Sequence, residues 1–308
     1  MEQVCPKENC YGCTACYNVC PTEAISMKKD QEGFLYPNID QNLCIDCGKC
    51  KEVCPVYHDD FLEEYEEQKF FALKNSDSVR KESSSGGVFT ALSDYFIENG
   101  GIVVGAKYSS GFSVEHKITN NKEVRDQFRG SKYIQSDLDS LFKEIESKLK
   151  NDKEVLFVGT PCQVDGLNLF LGKSYSNLTT CDLLCHGVAS PRVFKEFIGF
   201  VESKTNDKLL NYQFRDKEIG WRGYNVSAEL KNKKIKNKLW LKSFNYLFSQ
   251  NYINRPSCSN CKFFTYNRTS DLTMGDFWGI EKFYPEFEDS LGVSLLILNL
   301  RIVVITSC

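Results

Sequence analysis

Residues 10–55 read CYGCTACYNVCPTEAISMKKDQEGFLYPNIDQNLCIDCGKCKEVCP, and one pattern of cysteines occurs in them twice. The first run is Cys10-x2-Cys13-x2-Cys16-x3-Cys20-Pro21, and the second is Cys44-x2-Cys47-x2-Cys50-x3-Cys54-Pro55, so the stretch is an internal repeat. Three thiolates from one tight loop, followed by a fourth cysteine and a proline, are the ligand pattern of a 4Fe-4S cluster. The stretch therefore predicts two such clusters.

The fourth cysteine of each run is expected to ligate the other cluster, as it does in two-cluster ferredoxins. The assignment gives cluster one Cys10, Cys13, Cys16 and Cys54, and gives cluster two Cys44, Cys47, Cys50 and Cys20. Zinc would take two CxxC pairs without the trailing proline, and disulfides would need an exported chain. Residues 5–57 resemble a bacterial dicluster ferredoxin, which carries single electrons.

Length and composition indicate a soluble protein of about two domains. The chain has 308 residues, of which 42% are hydrophobic and 26% charged. Its net charge of −3 gives no basic footprint for nucleic acid. The N-terminal residues lack the pattern of a signal peptide, and no apolar run reaches the roughly 18 residues of a membrane span. We therefore expect a cytoplasmic protein whose 15 cysteines serve metal or redox chemistry.

The chain divides into a ferredoxin-type domain at 1–60, an acidic linker at 61–68 and a larger domain at 69–308. The linker is either a solvated connector or an acidic face for a partner protein. In the larger domain, predicted strands alternate with predicted helices. Strands are expected at 70–73, 102–105, 114–118, 155–158, 178–184, 209–215, 224–230 and 271–276, and helices at 88–99, 137–149, 164–171, 191–201 and 244–252. The fold class is therefore α+β, with a mixed α/β domain around a partly parallel sheet.

A serine- and glycine-rich loop, Ser83-Ser84-Ser85-Gly86-Gly87, precedes the first predicted helix of the larger domain. Backbone N–H groups at such a helix start can bind a phosphate, and a serine there can also serve as an ordinary N-cap. No GxGxxG motif follows a predicted strand, so a Rossmann dinucleotide site is not supported.

Further cysteines follow predicted strands of the larger domain, where ligands of such sheets bind. Cys162 and Cys185-His186-Gly187 lie at two neighbouring strand ends, and Cys258-x2-Cys261 forms a pair. The four cysteines form a candidate third 4Fe-4S site. The alternatives are inert buried cysteines and a structural zinc site. A Cys–His hydrolase is disfavoured, because adjacent residues on one loop seldom face each other.

Several separated motifs, in order, resemble the family formed by the beta subunits of the coenzyme F420 hydrogenases and dehydrogenases. The matching segments are Ser84-Ser85-Gly86-Gly87-Val88-Phe89, Gly130-Ser131-Lys132-Tyr133, Gly159-Thr160-Pro161-Cys162-Gln163, Cys185-His186-Gly187-Val188-Ala189-Ser190-Pro191, Cys258-x2-Cys261 and Gly275-Asp276-Phe277-Trp278-Gly279. The resemblance covers residues 1 to about 298.

The resemblance implies FAD, a further 4Fe-4S cluster in the flavin domain and, in methanogen members, a deazaflavin partner. It makes Cys162, Cys185, Cys258 and Cys261 the expected ligands of that third cluster, with Cys181 as a competitor for one place. It makes Ser84, Ser85, Gly86, Gly87, Lys132 and Tyr133 the candidate flavin contacts, with Lys132 near the phosphates or the ring. No catalytic residue is assigned.

The expected function is that of a flavin-dependent iron–sulfur oxidoreductase, typical of an anaerobe. It would move electrons between a two-electron donor, a deazaflavin-type coenzyme or another organic substrate, and ferredoxin-type clusters or a redox partner protein. The alternative is a non-catalytic electron-transfer subunit of a larger redox complex. Family members usually continue past the strand that begins at Gly292, whereas this chain changes character after Leu298. We therefore expect a truncated C-terminus, which would weaken flavin binding.

Overall fold

The structure is a computed structural model that describes residues 2–58, 67–223 and 225–300. Most of the predicted acidic linker, the apolar run at 302–305 and Cys308 lie outside the described residues. The expectations for the linker and for a truncated C-terminus therefore stay predictions.

The N-terminal module is built on one antiparallel hairpin between the two cysteine runs. Strand β1, Ile25–Lys29, pairs with β2, Leu35–Ile39, so that Ile25 lies opposite Ile39. Helix α1, Ala15–Val19, follows the first ligand loop, and helix α2, Lys49–Glu52, follows the second. The short helices and the hairpin hold the two runs against each other.

An eight-stranded mixed sheet forms the centre of the larger domain. Its strands are β3, Glu67–Leu73; β4, Ile102–Tyr108; β5, Val114–Thr119; β6, Ser136–Asp137; β7, Val155–Gly159; β8, Leu178–Leu183; β12, Leu272–Asp276; and β13, Ser294–Leu300. The spatial order is β3-β13-β12-β8-β7-β4-β5-β6. The central strands β12, β8, β7 and β4 run parallel, whereas β13 is antiparallel to both its neighbours. The carboxyl ends of the parallel strands therefore meet at one edge.

Helices cover both faces of this sheet. They are α3, Asp77–Lys81; α4, Val88–Glu98; α5, Lys122–Asp126; α6, Leu141–Lys150; α7, Pro161–Leu171; and α8, Pro191–Thr205. Phe157 of β7 is buried against α6 and α7 on one face, and Leu156 is buried against α4 on the other. The strand residues thus alternate between two apolar layers. The first layer also contains Cys13 and Ala15 of the N-terminal module, so the two domains share a core.

A smaller antiparallel sheet packs beside the main sheet. Its strands are β9, Leu209–Gln213; β10, Ser227–Leu230; and β11, Lys234–Lys236, in the order β11-β10-β9. Helix α9, Ser243–Ser249, lies against it and contributes Phe244 to an aromatic core with Phe194 and Phe214. The predicted mixed α/β architecture is confirmed. Among the described residues, no helix has the length and apolarity needed to cross a membrane.

Two helix starts differ from the prediction. Helix α6 begins at Leu141, because Asp137 belongs to β6 and its carboxylate accepts a hydrogen bond from the backbone N–H of Asp139. Helix α7 begins at Pro161, three residues before the predicted start, because Thr160 and Gln163 form a capping box. Gly87, with a φ of +86°, is the N-cap of α4 without any side-chain cap, so the serine N-cap alternative is wrong.

Candidate metal centres and the adjoining site

The two cysteine runs repeat in conformation as well as in spacing. Gly12 and Asp46, each just before the second cysteine of its run, both have positive φ angles, of 68° and 54°. Thr14 and Gly48, each just after that cysteine, have φ angles of 65° and 80°. Left-handed backbone is rare for Asp and Thr, so its recurrence shows that the two loops are held in one required shape. The sequence repeat therefore produces two equivalent thiol-bearing loops.

Each loop opens on a recess that is completed by a cysteine from the other run. One recess, of about 360 Å³ including its open mouth, is lined by Cys20, Cys44, Cys47 and Cys50. The other, of about 330 Å³, is lined by Cys10, Cys13, Cys16 and Cys54 together with Cys5. The structure thus brings together the two sets of four that the spacing predicts.

The two recesses differ in their contact with solvent. Cys10, Cys13, Cys16 and Cys54 are buried, whereas Cys47 is exposed and the other three cysteines of its recess are half-buried. Burial raises the pKa of Cys13 and Cys16 well above the ordinary thiol value. Thiolates at these positions therefore need a bound cation to stabilise them, and the donor set fits an iron–sulfur cluster.

The third set of cysteines lies at the carboxyl ends of two adjacent parallel strands. Cys162 is in the first turn of α7, directly after β7, and Cys185 follows β8. Cys258 lies close to the Cys185 turn, because a Cβ at Gly187 would stand 3.3 Å from the Cβ of Cys258. Burial and then the neighbouring Cys258 raise the pKa of Cys185 to about 12, and burial and the other three thiols act similarly on the pKa of Cys162. The structure therefore brings Cys162, Cys185, Cys258 and Cys261 together.

Cys181, the competitor for one ligand place, lies elsewhere. It is fully buried within β8, and its thiol donates to the backbone carbonyl of Asp182 at 3.7 Å. Its neighbours belong to the apolar layer beneath α4. Geometry therefore favours Cys185 over Cys181.

The spacing of donors bears on the zinc alternative. In the described part of the chain, no group of three or more His, Cys, Asp or Glu side chains has the geometry to hold a single metal ion. One zinc ion would draw four sulfurs to about 2.3 Å from its centre. A four-iron cluster holds them farther apart, because irons and sulfides fill the space between them. Elemental analysis for iron and zinc distinguishes the two alternatives.

Tyr11 links the first ligand loop to the segment that carries Cys261. Its ring packs edge-on against Phe263 at 5.4 Å between centroids. Burial, followed by the charges of Cys261 and Cys162, raises the pKa of Tyr11 above its ordinary value. Tyr11 of the first ligand loop therefore contacts the segment that directly follows Cys261.

The loops that carry the candidate flavin contacts also meet. The Ser84 hydroxyl accepts hydrogen bonds from the backbone N–H and hydroxyl of Ser131, at 2.8 and 3.0 Å. The Ser85 hydroxyl donates at 2.8 Å to the carbonyl of Val293, which also accepts the N–H of Phe277 at 3.0 Å. The serine loop, the 130–133 segment and the turn after β12 therefore converge at the edge where the parallel strands end.

Gly86 and Gly87 are explained by packing within the protein. A Cβ at Gly86 would overlap the carbonyl of Leu73 and the backbone nitrogen of Ser294. One at Gly87 would lie 2.9 Å from the Cβ of Asn75. Their roles as flavin contacts stay predictions.

Lys132 is anchored by its own turn. Its ammonium donates to the carbonyls of Phe128, Arg129 and Gly130 at 3.3, 2.9 and 3.1 Å, and burial lowers the pKa of Lys132 to about 7. The Nε of Arg129 is buried and has no hydrogen-bond partner. The Nη2 of the same guanidinium pairs with Asp126 at 2.8 Å, so its buried Nε is the group left to bind an anion such as a cofactor phosphate.

Tyr133 connects this region with the third set of cysteines. Its ring stacks on Phe248 at 4.7 Å between centroids. Phe248 in turn contacts the ring of His186 at 5.1 Å, and His186 directly follows Cys185. The candidate flavin contacts are therefore two aromatic side chains away from Cys185.

Two basic residues that the sequence did not single out lie at the same site. Arg215 pairs with Asp276 at 2.8 Å, and its guanidinium lies 5.2 Å from the ring centroid of Trp278. The ammonium of Lys217 donates to the Ser85 carbonyl, and burial lowers the pKa of Lys217 to about 7. Asp276 and Trp278 belong to a matching family motif, but Arg215 and Lys217 follow β9 without any motif. Positive charge therefore gathers at the edge of the sheet.

Comparison with known proteins identifies both domains. Residues 9–57 match the 4Fe-4S dicluster domain, and residues 152–301 match the C terminus of the coenzyme F420 hydrogenase/dehydrogenase beta subunit. The chain therefore carries a domain that matches the C terminus of the coenzyme F420 hydrogenase/dehydrogenase beta subunit, beside a 4Fe-4S dicluster domain. The resemblance predicted from the motifs is confirmed.

Two curated relatives match this chain over parts of their length. It is 29% identical over 182 residues to one subunit of the F420H2 dehydrogenase of Methanosarcina mazei, covering 55% of this chain and 50% of the relative. It is 35% identical over 176 residues to the coenzyme F420-dependent sulfite reductase of Methanocaldococcus jannaschii, covering 54% and 26%. The chain thus spans half or less of these two relatives.

The N-terminal module and the fold have further counterparts. A 7Fe ferredoxin from Hydrogenibacillus schlegelii is 42% identical over 79 residues, which are 24% of this chain and 92% of the ferredoxin. A chain in the F420-reducing NiFe hydrogenase complex of Methanosarcina barkeri has a TM-score of 0.50 at 17% identity, covering 79% of this chain and 77% of that one. The second likeness concerns the fold alone.

Gly166 of α7 offers a test of how the beta-subunit domain supports the buried recess. A Cβ there would stand 2.9 Å from the Sγ of Cys13. We expect Gly166→Ala to lower the free energy of unfolding by about 1–2 kcal/mol, because overpacking outweighs the better helix propensity of alanine. The iron content, measured after anaerobic purification, should fall by up to about four per chain.

Gly199→Ala in α8 is the matched control, because a Cβ there meets nothing within 4 Å. It should leave the iron content unchanged and leave stability unchanged or slightly raised. Equal iron content and equal unfolding temperatures in both variants would show that Gly166 does not support Cys13.

Proposed function

We propose that this chain is an iron–sulfur flavoprotein oxidoreductase. It moves electrons between a two-electron organic donor, of the deazaflavin type or another class, and ferredoxin-type clusters that serve a redox partner protein. The names of two relatives support a deazaflavin-type coenzyme as the organic donor. The match to the dicluster domain supports 4Fe-4S clusters as the electron carriers. The observation that carries the proposal is that aromatic side chains lie beside the third set of cysteines in two directions. Tyr133, Phe248 and His186 lie toward the candidate flavin residues, and Phe263 and Tyr11 lie toward the first ligand loop.

The proposed ligands follow the three sets that the structure brings together. Cluster one takes Cys10, Cys13, Cys16 and Cys54; cluster two takes Cys44, Cys47, Cys50 and Cys20; and the third cluster takes Cys162, Cys185, Cys258 and Cys261. A bound flavin exchanges two electrons with an organic substrate and single electrons with a cluster, and each cluster carries one electron.

The first series of ring contacts lies inside the larger domain. A hydrogen bond between Ser84 and Ser131 links the two loops that carry the candidate flavin contacts. Tyr133 lies two residues after Ser131. The stacked rings of Tyr133 and Phe248 lead to His186 beside the third set of cysteines. Two ring contacts therefore lead from Tyr133, a candidate flavin residue, to the residue that follows Cys185.

The second series of ring contacts crosses into the N-terminal module. Tyr11 lines the buried recess and its ring contacts Phe263, two residues after Cys261, and α7 packs on Cys13. Around the other recess Cys47 is exposed, and so are Leu43 and Ile45, whose exposed fractions are 50% and 65%. A redox partner would dock where an apolar rim surrounds the only exposed ligand of the proposed sets.

Cofactor content tests the proposal directly. After strictly anaerobic purification, iron, acid-labile sulfide and acid-released flavin are measured per chain. We expect about 12 irons and one flavin. About 8 irons without flavin would instead favour a non-catalytic electron-transfer subunit. One observation favours that second function, since Gly86 and Gly87 already have structural reasons to be glycine.

Lys132 and Arg129 provide a sharper test of flavin binding. We expect Lys132→Met and Arg129→Met each to weaken flavin binding at least tenfold, because each removes a charged donor whose hydrogen bond to a phosphate is worth about 1.5–3 kcal/mol. Binding is measured by flavin fluorescence during equilibrium dialysis, and unchanged iron content verifies that each variant is folded.

Lys153→Met is the matched control, because the Lys153 ammonium also donates to a backbone carbonyl, that of Gly100, but on an exposed turn. It should bind flavin as the unaltered chain does. If both site variants also retained unaltered affinity, the proposed position of the flavin phosphates would be wrong.

A further inference from the structure

Cys5 is a fifth sulfur at the buried recess and belongs to neither cysteine run. It has an exposed fraction of 7% and lines the recess together with Cys10, Cys13, Cys16 and Cys54. It precedes the matched dicluster domain, which begins at residue 9. Four cysteines suffice for a cluster, so the ligand pattern leaves Cys5 without a role.

The internal repeat provides a comparison for Cys5. Cys5 precedes Cys10 by five residues, and the residue that precedes Cys44 by five is Ile39. Ile39 lines the exposed recess, just as Cys5 lines the buried one. The two recesses therefore differ at one equivalent position, which has a thiol in the buried recess and an aliphatic side chain in the exposed one.

The position of Cys5 suits a hydrogen-bond donor. Its side chain is buried in one cluster with Cys10 and Cys54, which come from different runs, and all three cysteines line the same recess. The backbone is held there because Val4 is buried and its carbonyl accepts a hydrogen bond from the Tyr57 hydroxyl at 3.1 Å. A thiol that is not a ligand has an S–H to donate, and ligand thiolates are acceptors.

We propose that Cys5 donates its S–H to the ligand sulfurs of Cys10 and Cys54 and thereby raises the reduction potential of cluster one. Hydrogen bonds to cluster sulfurs stabilise the more negative, reduced state. Cluster two lacks this contact because Ile39 has no donor. The inference rests on the proposed ligands of the N-terminal clusters and is independent of the flavin.

The test is a redox titration followed by electron paramagnetic resonance, on the full chain purified without oxygen. Cys5→Ala should lower the midpoint reduction potential of cluster one by about 30 mV. At 59 mV per tenfold, this shift is about a threefold change in the one-electron equilibrium constant. Cys5→Ser should restore part of the shift, because its hydroxyl can donate. The reciprocal variant Ile39→Cys should raise the midpoint of cluster two.

The two clusters are told apart by a water-soluble paramagnetic ion, which should relax the signal of cluster two faster because Cys47 is exposed. Cys181→Ala is the matched control, since Cys181 is a buried cysteine remote from both recesses, and it should leave both midpoints unchanged.

Each of the other possible results would contradict a different part of the proposal. If Cys5→Ala lost about four irons per chain, Cys5 would be a ligand and not a donor. If Cys5→Ala kept its iron and neither midpoint moved, Cys5 would be a packing residue. If the unaltered N-terminal module held fewer than about eight irons, the proposed ligation itself would fail, and the role of Cys5 with it.

Discussion

Replacing Cys258 and Cys261 together by serine removes about four of about twelve irons and stops electron transfer from the organic donor to the N-terminal clusters. This result is expected because the third set of cysteines lies between the candidate flavin contacts and Tyr11. Flavin content should be unchanged, since Tyr133 and Ser84 are untouched. Reduction of the N-terminal clusters in the presence of the donor should fall to the level seen without the donor.

An artificial dye that takes electrons directly from flavin separates the two halves of the path. The double variant should still reduce the dye and should fail only with the N-terminal clusters. Cys181→Ala, which removes a buried thiol outside the set, should behave like the unaltered chain. A double variant that kept about twelve irons, or that still reduced the N-terminal clusters at the original rate, would rule out a third cluster at these residues.

Replacing Arg255 by methionine is expected to have the second large effect, on the attachment of the N-terminal module. Arg255 is 1% exposed; its Nε donates to the carbonyl of Cys10 at 2.6 Å and its Nη2 to that of Leu35 at 3.0 Å. The guanidinium also lies 4.1 Å from the ring centroid of Tyr36. The side chain therefore joins the segment just before Cys258 to both the first ligand loop and β2.

Arg255→Met leaves buried carbonyls without their donors, and each costs about 1–3 kcal/mol. We expect the free energy of unfolding to fall by about 2–5 kcal/mol, which for a chain of this size lowers the unfolding temperature by roughly 3–8 °C. Calorimetry of anaerobic protein measures the shift, and limited proteolysis shows whether the N-terminal module is released first. Arg255→Lys should restore little of the lost stability, because lysine lacks the planar guanidinium group of arginine.

Arg192 is the matched control at the same junction. Its guanidinium donates at 2.8 Å to the carbonyl of Gln31, but the contact is exposed. Arg192→Met should change stability by less than about 0.5 kcal/mol. Equal effects of the two substitutions would mean that the buried guanidinium does not fasten the module.

The ligand sets were predictable because iron–sulfur ligation is encoded in local spacing. The repeat at 10–55 indicated both the eight cysteines and the exchange of Cys20 and Cys54 between recesses, and the structure groups them in that way. The central strands were predictable because their apolar runs are buried on both faces. The insertion of β13 between β3 and β12 was not, because pairing between distant segments leaves no mark in the local pattern.

Residues defined by distant partners were missed for a related reason. Arg255, Arg215 and Lys217 read in sequence as ordinary surface charges. Only the structure shows that Arg255 is buried, that Arg215 and Lys217 are half-buried, and that carbonyls and a carboxylate surround them. The choice between Cys181 and Cys185 had a usable signal, since Cys181 lies within the predicted strand and Cys185 at its end, where ligands bind. Gly86 and Gly87 belong to a family motif. The sequence alone could not show whether they are glycine because of packing within the protein or because of contact with a cofactor.

The unequal burial of the three cysteine sets has a consequence for damage by oxygen. An oxidant arriving from solvent meets the side of Cys47 first, whereas Cys10, Cys13, Cys16 and Cys54 are shielded by the protein. Brief exposure to air should therefore destroy the outermost carrier while the inner ones survive. The molecule would then still accept reducing equivalents from its donor but have no outlet, and repair would need only one cluster to be rebuilt at the surface.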